Sequence, residues 1–384
     1  MSAGSSPINL IIEWMDVYLI DGTYELFRHF FVVPSVKDTK GREIGAARAV
    51  VNSVRRMIDE GATHIGVATD RVIESFRNDL YAGYKTGAGI PPELYSQFPI
   101  LESDLEAMGI VVWPMVEFEA DDALASAAVK AAGDRNVNRV VICTPDKDLS
   151  QCVSGTRIVQ LLRRTQVVID EEAVVAKFGV RPKSIPDYLA LVGDSADGFP
   201  GMPGWGKKAA ASILSVYPHL EDIPKHWSEW RHSIRHASSL ATVLFENWEQ
   251  ALLFRTLATL RTDVPVFNTV EDLRWRGAPP LSPWERAGHQ LKGAPGEGGK
   301  SIRILGPSPF IEASPYRARA SRPRPEGEGG APAIQFIRSF YDRRRSRKNR
   351  SNQRWPSVEK LSPLNPGSPR PQSVCGPSRD QCLW

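Results

Sequence analysis

The sequence has few cysteines and no long apolar run, and each shortage excludes a class of protein. Its four cysteines are scattered over 384 residues, too few for a disulfide scaffold or a cysteine-rich zinc site. No run of 18 apolar residues occurs, so we expect no membrane-spanning helix. The first residues lack the basic segment of a secretory signal. We therefore expect a cytoplasmic protein with reduced thiols and no membrane partner.

Charge is distributed unevenly along the chain. Residues 277–384 hold 19 Lys and Arg against 8 Asp and Glu, together with 16 Pro and 12 Gly, whereas residues 1–276 are net acidic. The basic part shows no sustained helical or strand period, so we expect a disordered tail. Two interpretations stay open for this tail: a nonspecific arm with affinity for DNA, or an extension without a role.

Short apolar runs alternate with helix-length segments in the first part of the chain. This alternation is typical of an α/β domain in which helices flank a parallel sheet. From residue 185 to residue 260 the pattern is helical, with a Gly-rich stretch at 198–206. We therefore predict an α/β domain at 17–182 and a helical portion at 183–275. The predicted strands are residues 17–20, 64–68, 110–113 and 139–143, and the predicted helices are residues 46–58 and 120–132.

Acidic residues gather where the predicted strands end. The carboxyl ends of parallel strands meet at one edge of a sheet, where ligands of such folds bind. Three of the predicted strands are followed by acidic residues at that edge. Further acidic residues stand at the start of the helix at 120–132, and another acidic pair precedes the Gly-rich stretch. The nine carboxylates are Asp21, Asp70, Glu119, Asp121, Asp122, Asp146, Asp148, Asp194 and Asp197.

Each of these acids taken singly has an ordinary structural explanation, such as a helix N-terminus, a turn or a solvated loop. Together they repel, because two unit charges about 4 Å apart cost roughly 4 kcal/mol at an effective dielectric constant near 20. We expect no comparable set of Lys and Arg beside them, so divalent cations are the simplest source of neutralisation. Oxygen ligands favour Mg²⁺ or Mn²⁺ over zinc. Two such ions about 4 Å apart support in-line attack on a phosphodiester.

Residues 17–275 resemble the 5′-nuclease family, in particular the 5′→3′ exonuclease domain of bacterial DNA polymerase I and its stand-alone and phage relatives. Flap endonucleases are more distant kin. No polymerase domain follows, so the chain resembles a stand-alone member. Seven motifs occur in the family's order: Leu19-Ile-Asp-Gly22 with Arg28, Ser75-Phe-Arg77, Tyr81-Ala-Gly-Tyr-Lys85, Glu119-Ala-Asp-Asp122, Thr144-Pro-Asp-Lys-Asp-Leu149, Leu191-Val-Gly-Asp-Ser-Ala-Asp197 and Pro200-Gly-Met-Pro-Gly-Trp-Gly-Lys-Lys-Ala209.

The resemblance implies a PIN-like sheet and a site for two Mg²⁺ ions, with Mn²⁺ as a substitute. It implies that Lys85 contacts the scissile phosphate and that Arg77 belongs to the same basic set. For Arg28, a phosphate contact and a structural ion pair are equally open. The implied ligands are Asp21, Asp70, Glu119, Asp121, Asp122 and Asp146 around the first ion, and Asp148, Asp194 and Asp197 around the second.

The Gly-rich stretch resembles the hairpin of a helix-hairpin-helix. Its glycines let the backbone approach a phosphate, and the following helix offers free N–H groups at its N-terminus. The resemblance implies that this element grips duplex DNA, with a K⁺ ion as a candidate cofactor. Tyr84 either stacks on a base at a fork or belongs to the core. The candidate DNA-binding residues are Tyr84, Gly201, Gly204, Gly206, Lys207 and Lys208.

The chain departs from the family's pattern at three positions. Ala88 stands where a basic residue is usual, Gly198 replaces a usual Asn, and Pro145 replaces a usual small residue. The segment after Lys85, expected to form an arch over the active site, runs to Trp113 without Lys or Arg and carries Glu93, Glu102, Asp104 and Glu106 instead. An acidic arch would weaken the threading of a single strand, because neutralisation of the backbone drives such binding.

These observations favour a monomeric, Mg²⁺-dependent 5′→3′ exonuclease or 5′ flap endonuclease of DNA replication or repair. Its partners would be DNA molecules with 5′ ends, flaps or forks. Two alternatives stay open. The first is a structure-specific DNA-binding protein without catalysis, which the hairpin and the basic tail favour. The second is a PIN-like ribonuclease, which the long set of carboxylates and the hairpin disfavour.

Overall fold

A six-stranded sheet forms the centre of the α/β body. The computed structural model describes residues 15–231 and 234–278, so the tail predicted at 277–384 lies outside the described residues from position 279 onwards. The strand order is β3-β2-β1-β4-β5-β6, and all neighbours are parallel except the β5–β6 pair. The strands are β1 Met15–Asp21, β2 His64–Asp70, β3 Val111–Met115, β4 Val137–Cys143, β5 Ile158–Leu162 and β6 Val167–Ile169.

Eleven α-helices flank and extend this sheet within the described residues. They are α1 Gly22–Phe30, α2 Gly45–Asp59, α3 Phe76–Leu80, α4 Pro92–Tyr95, α5 Phe98–Ala107, α6 Ala120–Ala132, α7 Glu171–Phe178, α8 Ile185–Val192, α9 Lys207–Leu214, α10 Ala237–Glu246 and α11 Trp248–Ala258. Short 3-10 helices lie at Asp148–Cys152, Pro182–Ser184, Leu220–Asp222, Trp227–Glu229 and Val270–Leu273. In the part of the chain that the structure describes, no helix is both long and apolar enough to cross a membrane.

The predicted α/β class is confirmed, and the four predicted strands are β1 to β4. Their apolar runs are continuous because both faces of the sheet are covered by helices. Helix α6 covers one face, and its alanines, including Ala123, Ala127 and Ala131, are fully buried against β1 and β4. Helices α1, α2 and α5 cover the other face. Strand β3 continues through Pro114, which an edge strand tolerates because one side needs no N–H donor.

The helical portion packs into a core that also includes Tyr84, Val153 and Ile169 of the body, and the chain that follows α11 packs on the body. Phe199 stacks on Phe254 with ring centroids 5.6 Å apart, and Trp205 lies against Trp230. After α11 the chain returns along the body, where the backbone N–H of Trp275 donates to Thr63 O at 2.8 Å. The loop that carries Asp194 and Asp197 therefore lies between the α/β body and the helical portion.

The expectation of an arch between Lys85 and Trp113 is wrong. The segment forms α4 and α5, and Leu94, Leu101 and Leu105 are fully buried in the core shared with α2. Glu102, counted among the acidic residues of an arch, is buried and accepts hydrogen bonds from Arg71. The segment packs as helices because its apolar residues recur at helical spacing. Burial of the leucines in the core lowers the free energy of the folded state more than exposure of the segment to solvent would.

Candidate active site and metal centre

The carboxyl edge of the sheet brings the predicted acids together. Asp21 ends β1 and caps α1, accepting the N–H of Tyr24 at 2.8 Å and the hydroxyl of Thr144 at 2.8 Å. Asp70 ends β2 and accepts the N–H of Ala120 at 2.7 Å, which ties it to the start of α6. Asp121 and Asp146 complete this group, which we call the first acidic cluster: Asp21, Asp70, Asp121 and Asp146.

Burial and mutual repulsion raise the pKa values of Asp21, Asp70 and Asp121 in this cluster. Burial raises the pKa of Asp21 to about 7, and the charges of Asp70 and Asp146 add to the effect. Burial also raises the pKa of Asp70 to about 6. The pKa of Asp121 is raised as well, first by burial and then by Asp146 and Asp21. Such a cluster has a strong electrostatic demand for a cation, because an added positive charge restores the ionised state.

A second acidic cluster combines Asp148, which begins the 3-10 helix after β4, with two carboxylates of the loop between α8 and α9. Asp148, Asp194 and Asp197 each present an oxygen atom within 4.8 Å of the others, and all three residues are buried. Apart from the Lys147 ammonium, no donor within the described residues reaches Asp148 Oδ1 or Asp194 Oδ2. Buried carboxylate oxygens with so few donors are expensive to maintain, so this ligand set fits a hard divalent cation.

Two glycines let the loop of the second cluster fold tightly. A Cβ atom at Gly201 would lie 2.2 Å from the backbone nitrogen of Gly193, and one at Gly198 would lie 2.2 Å from Gly83 O. Both glycines have positive φ angles, +72° and +86°. Gly198, a departure from the family's pattern, thus permits the loop to meet the turn that precedes Lys85.

Lys85 joins Glu119 to the second acidic cluster. Its Nζ lies 2.7 Å from Glu119 Oε2 and 3.1 Å from Asp197 Oδ1, and its backbone N–H donates to Asp197 O at 2.9 Å. The charges of Asp197 and Glu119 outweigh burial and raise the pKa of Lys85 well above its usual value, so the ammonium stays charged. The side chain is only partly buried and remains accessible to a ligand at the sheet edge.

Arg77 does not face solvent as a phosphate-binding residue would. Its side chain is fully buried, and its guanidinium makes a bidentate pair with Asp122 at 2.7 and 2.8 Å and a further bond to Glu119 at 3.0 Å. The remaining donors go to the carbonyl oxygens of Leu257 and Thr259 at 2.9 Å each. Arg77 therefore joins the start of α6 to the end of α11.

This network directs two of the predicted ligands toward cations of the protein itself. Both oxygens of Asp122 face Arg77, and they also accept the N–H groups of Glu119 and Arg261. Glu119 is shared between Arg77 and Lys85. Asp122 thus has a structural partner for each oxygen, and Glu119 lies behind Lys85 rather than in the first cluster.

The expectation that no set of Lys and Arg accompanies the acids is wrong. Besides Lys85 and Arg77, Lys147 contacts Asp194 and lies 3.5 Å from Asp148 Oδ1. Lys147 was not among the predicted site residues, although it stands between Asp146 and Asp148 in sequence. That position was the available signal, and a solvated loop explained it equally well.

Two residues with open roles have structural partners. Tyr84 is 3% exposed and its hydroxyl donates to Glu119 Oε2 at 3.3 Å, which favours the core alternative over base stacking. Arg28 pairs with the buried Glu25, which favours the structural ion pair.

The Gly-rich stretch links α8 to α9 and is anchored by buried side chains. Met202 and Trp205 are buried, and Trp205 Nε1 donates to Leu240 O at 3.1 Å. Helix α9 begins at Lys207 after Gly206, without a side-chain cap, and Lys207 and Lys208 are exposed in its first turn. Uncapped N–H groups beside two lysines suit a phosphate group.

Comparison with known proteins places this chain among nucleases. Two family models match in succession: the 5′-3′ exonuclease N-terminal resolvase-like domain at 16–179 and the 5′-3′ exonuclease C-terminal SAM fold at 180–280. The 5′-3′ exonuclease of Aquifex aeolicus is 33% identical over 260 residues, covering 67% of this chain and 86% of the relative. The corresponding exonuclease of Buchnera aphidicola is 32% identical over 265 residues, covering 67% and 85%.

Longer relatives and a solved structure agree with this placement. DNA polymerase I of Pseudomonas aeruginosa is 35% identical over 268 residues, which cover 66% of this chain, but the match spans only 28% of that polymerase. The structure of T5 5′-exonuclease with bound zinc ions has the same fold at a TM-score of 0.52 and 19% identity, covering 64% of this chain and 90% of the T5 chain. The chain is a nuclease that belongs to the 5′-3′ exonuclease family.

Proposed function

We propose that the protein is a Mg²⁺-dependent 5′→3′ exonuclease and structure-specific 5′ flap endonuclease that hydrolyses DNA phosphodiesters with two metal ions. The observation that carries the proposal is the second acidic cluster, whose oxygen atoms lie within 4.8 Å of one another, beside the first cluster and with the Lys85 ammonium paired to Asp197. Negative charge develops on the phosphate during the reaction. Cations bound by the ionised carboxylates and the fixed positive charge beside them would stabilise that charge.

Each cluster offers ligands for one ion. Asp21, Asp70, Asp121 and Asp146 would hold the first, and Asp148, Asp194 and Asp197 would hold the second. The bound ions supply neutralisation of the phosphate and activation of the attacking water. Lys85 would donate to a non-bridging oxygen of the scissile phosphate, since its Nζ already spans from Glu119 to Asp197.

Arg77, Glu119 and Asp122 form the support of the site. Their buried network fixes the start of α6, which carries Asp121, and orients Glu119 toward Lys85. We assign Arg77 and Asp122 a positioning role instead of direct contact with phosphate or metal. This assignment departs from the roles that the resemblance implied for them.

DNA is the substrate that the surface features favour. The start of α9, with Gly201, Gly204 and Gly206 in the preceding loop and Lys207 and Lys208 in the first turn, would hold the backbone of a duplex. A K⁺ ion at this hairpin belongs to the same proposal. A related T5 flap endonuclease, at a TM-score of 0.50, was crystallised with DNA and metal ions as a pseudo-enzyme–product complex.

The remaining expectations are proposals about cellular context. The protein would act as a monomer in the cytoplasm, on DNA with 5′ ends, flaps or forks, during replication or repair. Mn²⁺ would replace Mg²⁺, because both ions accept all-oxygen ligand sets. The nuclease domain would span residues 17–182 and the DNA-binding portion residues 183–275.

One assay tests the function against its alternatives. Purified protein is incubated with a labelled 5′-flap duplex, single-stranded DNA and RNA of matched sequence, in Mg²⁺ and in EDTA. Cleavage at the flap junction or from the 5′ end that disappears in EDTA supports the proposal. Binding of the flap without cleavage supports a non-catalytic DNA-binding protein, and cleavage of RNA alone supports a ribonuclease.

A further inference from the structure

Lys147 occupies an unusual position in the second acidic cluster. It directly precedes the 3-10 helix Asp148–Cys152, and its ammonium contacts the carboxylate of Asp194 and lies 3.5 Å from Asp148 Oδ1. Its side chain is 30% exposed, whereas those of Asp148 and Asp194 are 8% and 3% exposed. A partly exposed cation thus caps two almost fully buried carboxylates.

The other two cations of the site have different partners. The Arg77 donors are taken up by Glu119, Asp122 and two backbone carbonyls. Lys85 lies toward Glu119 and Asp197. Among the ion pairs of the described residues, Lys147 is accordingly the cation that neutralises Asp148 and Asp194.

The Lys147 ammonium and a divalent cation would bind the same carboxylate oxygen atoms. Within the described residues no donor other than Lys147 reaches Asp148 Oδ1 or Asp194 Oδ2, so the Lys147 ammonium is their principal source of positive charge. A divalent ion at this cluster would repel the ammonium, and both could not keep these contacts. A lysine ammonium on a flexible four-carbon stem can withdraw toward solvent.

We propose that Lys147 is an internal counter-ion of the second acidic cluster and competes there with the divalent cation. In the metal-free protein it neutralises Asp148 and Asp194, and it must leave before the second ion binds. The second ion is therefore held more weakly than the ligand set alone would allow, whereas the first cluster has no such competitor among the described ion pairs. This inference rests on the proposed function, because it presupposes a metal ion at Asp148, Asp194 and Asp197.

Direct measurement of Mn²⁺ binding tests the competition. Free Mn²⁺ is titrated by electron paramagnetic resonance in the full-length wild type, in Lys147→Met, which keeps chain length without charge, and in Lys147→Arg, which keeps the charge. Lys183→Met, at an exposed position after α7, is the control. We expect the weaker of two sites to tighten at least tenfold in Lys147→Met and to stay near wild type in Lys147→Arg and Lys183→Met.

The outcomes separate this inference from the proposed function. Equal or weaker binding of the second ion in Lys147→Met overturns the competition, while two bound ions in the wild type leave the metal-dependent function standing. A wild type that binds no Mn²⁺ overturns both. The flap assay in Mg²⁺ then reports on catalysis separately from metal affinity.

Thermal unfolding provides a second readout that a purely structural lysine would not give. In EDTA, Lys147→Met should unfold at a lower temperature than the wild type, because the carboxylates lose their counter-ion. In saturating Mn²⁺ the difference should shrink or reverse, because the ion takes the place of the ammonium. An equal loss of melting temperature in both conditions would overturn the proposal and assign Lys147 a structural role alone.

Discussion

At the scale of single residues, the first acidic cluster depends on carboxylates that the fold holds in fixed directions. Asp146 Oδ1 accepts the N–H of Asp148 at 2.9 Å, and its own N–H donates to Thr144 Oγ1 at 3.2 Å. Thr144 in turn donates to Asp21. The turn after β4 therefore connects the two clusters through a short chain of hydrogen bonds, and its side chains are placed by the backbone.

Replacement of Asp146 by alanine should remove cleavage and spare DNA binding. We expect Asp146→Ala to lower the rate of flap cleavage more than about 100-fold, because even outer-shell partners of a metal are commonly worth 10–100-fold. The hairpin before α9 is untouched, so duplex affinity should stay within about twofold. Single-turnover cleavage and fluorescence anisotropy, the latter in Ca²⁺, measure the two quantities. Cleavage near the wild-type rate would contradict the two-metal site.

Arg77 tests whether a buried cation positions the site or contacts the substrate. Arg77→Met should lower the free energy of unfolding by about 3–5 kcal/mol, because it leaves Asp122 and Glu119 without their buried partner. Arg77→Lys should recover little of this loss, since an ammonium cannot reproduce the five-donor fork. Urea denaturation measures both variants. Unchanged stability with reduced cleavage would instead indicate contact with a phosphate.

The sequence predicts the acids of the site better than its cations. The acids follow apolar runs, and the rule that parallel strands end at one edge is sufficient to bring Asp21, Asp70 and Asp146 together. Arg77 binds Asp122, which is 45 positions away in sequence, and Leu257, which is 180 positions away. Local hydrophobic periodicity does not reveal contacts between such distant residues. Lys147 is adjacent to Asp148 in sequence, but its other partner, Asp194, lies on a distant loop, so the sequence does not show which way the side chain points.

At the scale of secondary-structure elements, the segment after Lys85 shows how packing overrides an expectation taken from family resemblance. The resemblance implied an exposed arch, yet the leucines of this segment recur at helical spacing and are buried in α4 and α5. The argument that an acidic arch weakens the threading of a strand therefore no longer applies to Glu102. Strand β5 was missed because Gln160 interrupts its short apolar run, and β6 was missed because it has only three residues.

Substitution of a leucine in α5 tests whether this segment is a packed helix or an open arch. Leu101→Ala should lower the free energy of unfolding by about 2–5 kcal/mol, as expected for a cavity in a well-packed core. Leu80→Ala, at the end of α3 where the side chain is 47% exposed, is the matched control and should cost far less. Chemical denaturation with a fluorescence readout compares them. Equal small losses at both positions would argue for an unpacked segment.

At the scale of the whole molecule, the α/β body and the helical portion share the active site. Asp194 and Asp197 come from the loop between α8 and α9, whereas the first cluster belongs to the body. Lys85 and Arg77 bind across this division, to Asp197 and to the end of α11. A body and a helical portion were predictable from the change of period near residue 185, but not the contacts that join them, because those contacts depend on the three-dimensional path of the chain.

The buried carboxylates should give the metal-free protein an inverted response to pH. Burial raises the pKa of Asp21 to about 7 and that of Asp70 to about 6, above the value near 4 of an unfolded chain. Between about pH 4 and pH 7 the folded state therefore keeps protons that the unfolded state has released. As a result, the contribution of these groups to the free energy of unfolding falls as pH rises. His29 and His64, whose pKa values burial lowers, act in the opposite direction.

Comparison with Asp21→Asn isolates the carboxylate contribution. In EDTA, the melting temperature of the wild type should fall relative to Asp21→Asn as the pH rises from about 5 to about 8, because the amide does not titrate and can still cap α1. In Mg²⁺ the relative fall should shrink, since the ion binds the ionised carboxylate and stabilises the folded state most at high pH. Calorimetry in both buffers measures the four curves. A wild type that gains stability over Asp21→Asn on going to pH 8 in EDTA would show that the first cluster is already neutralised by the protein and has no unmet demand for a metal ion.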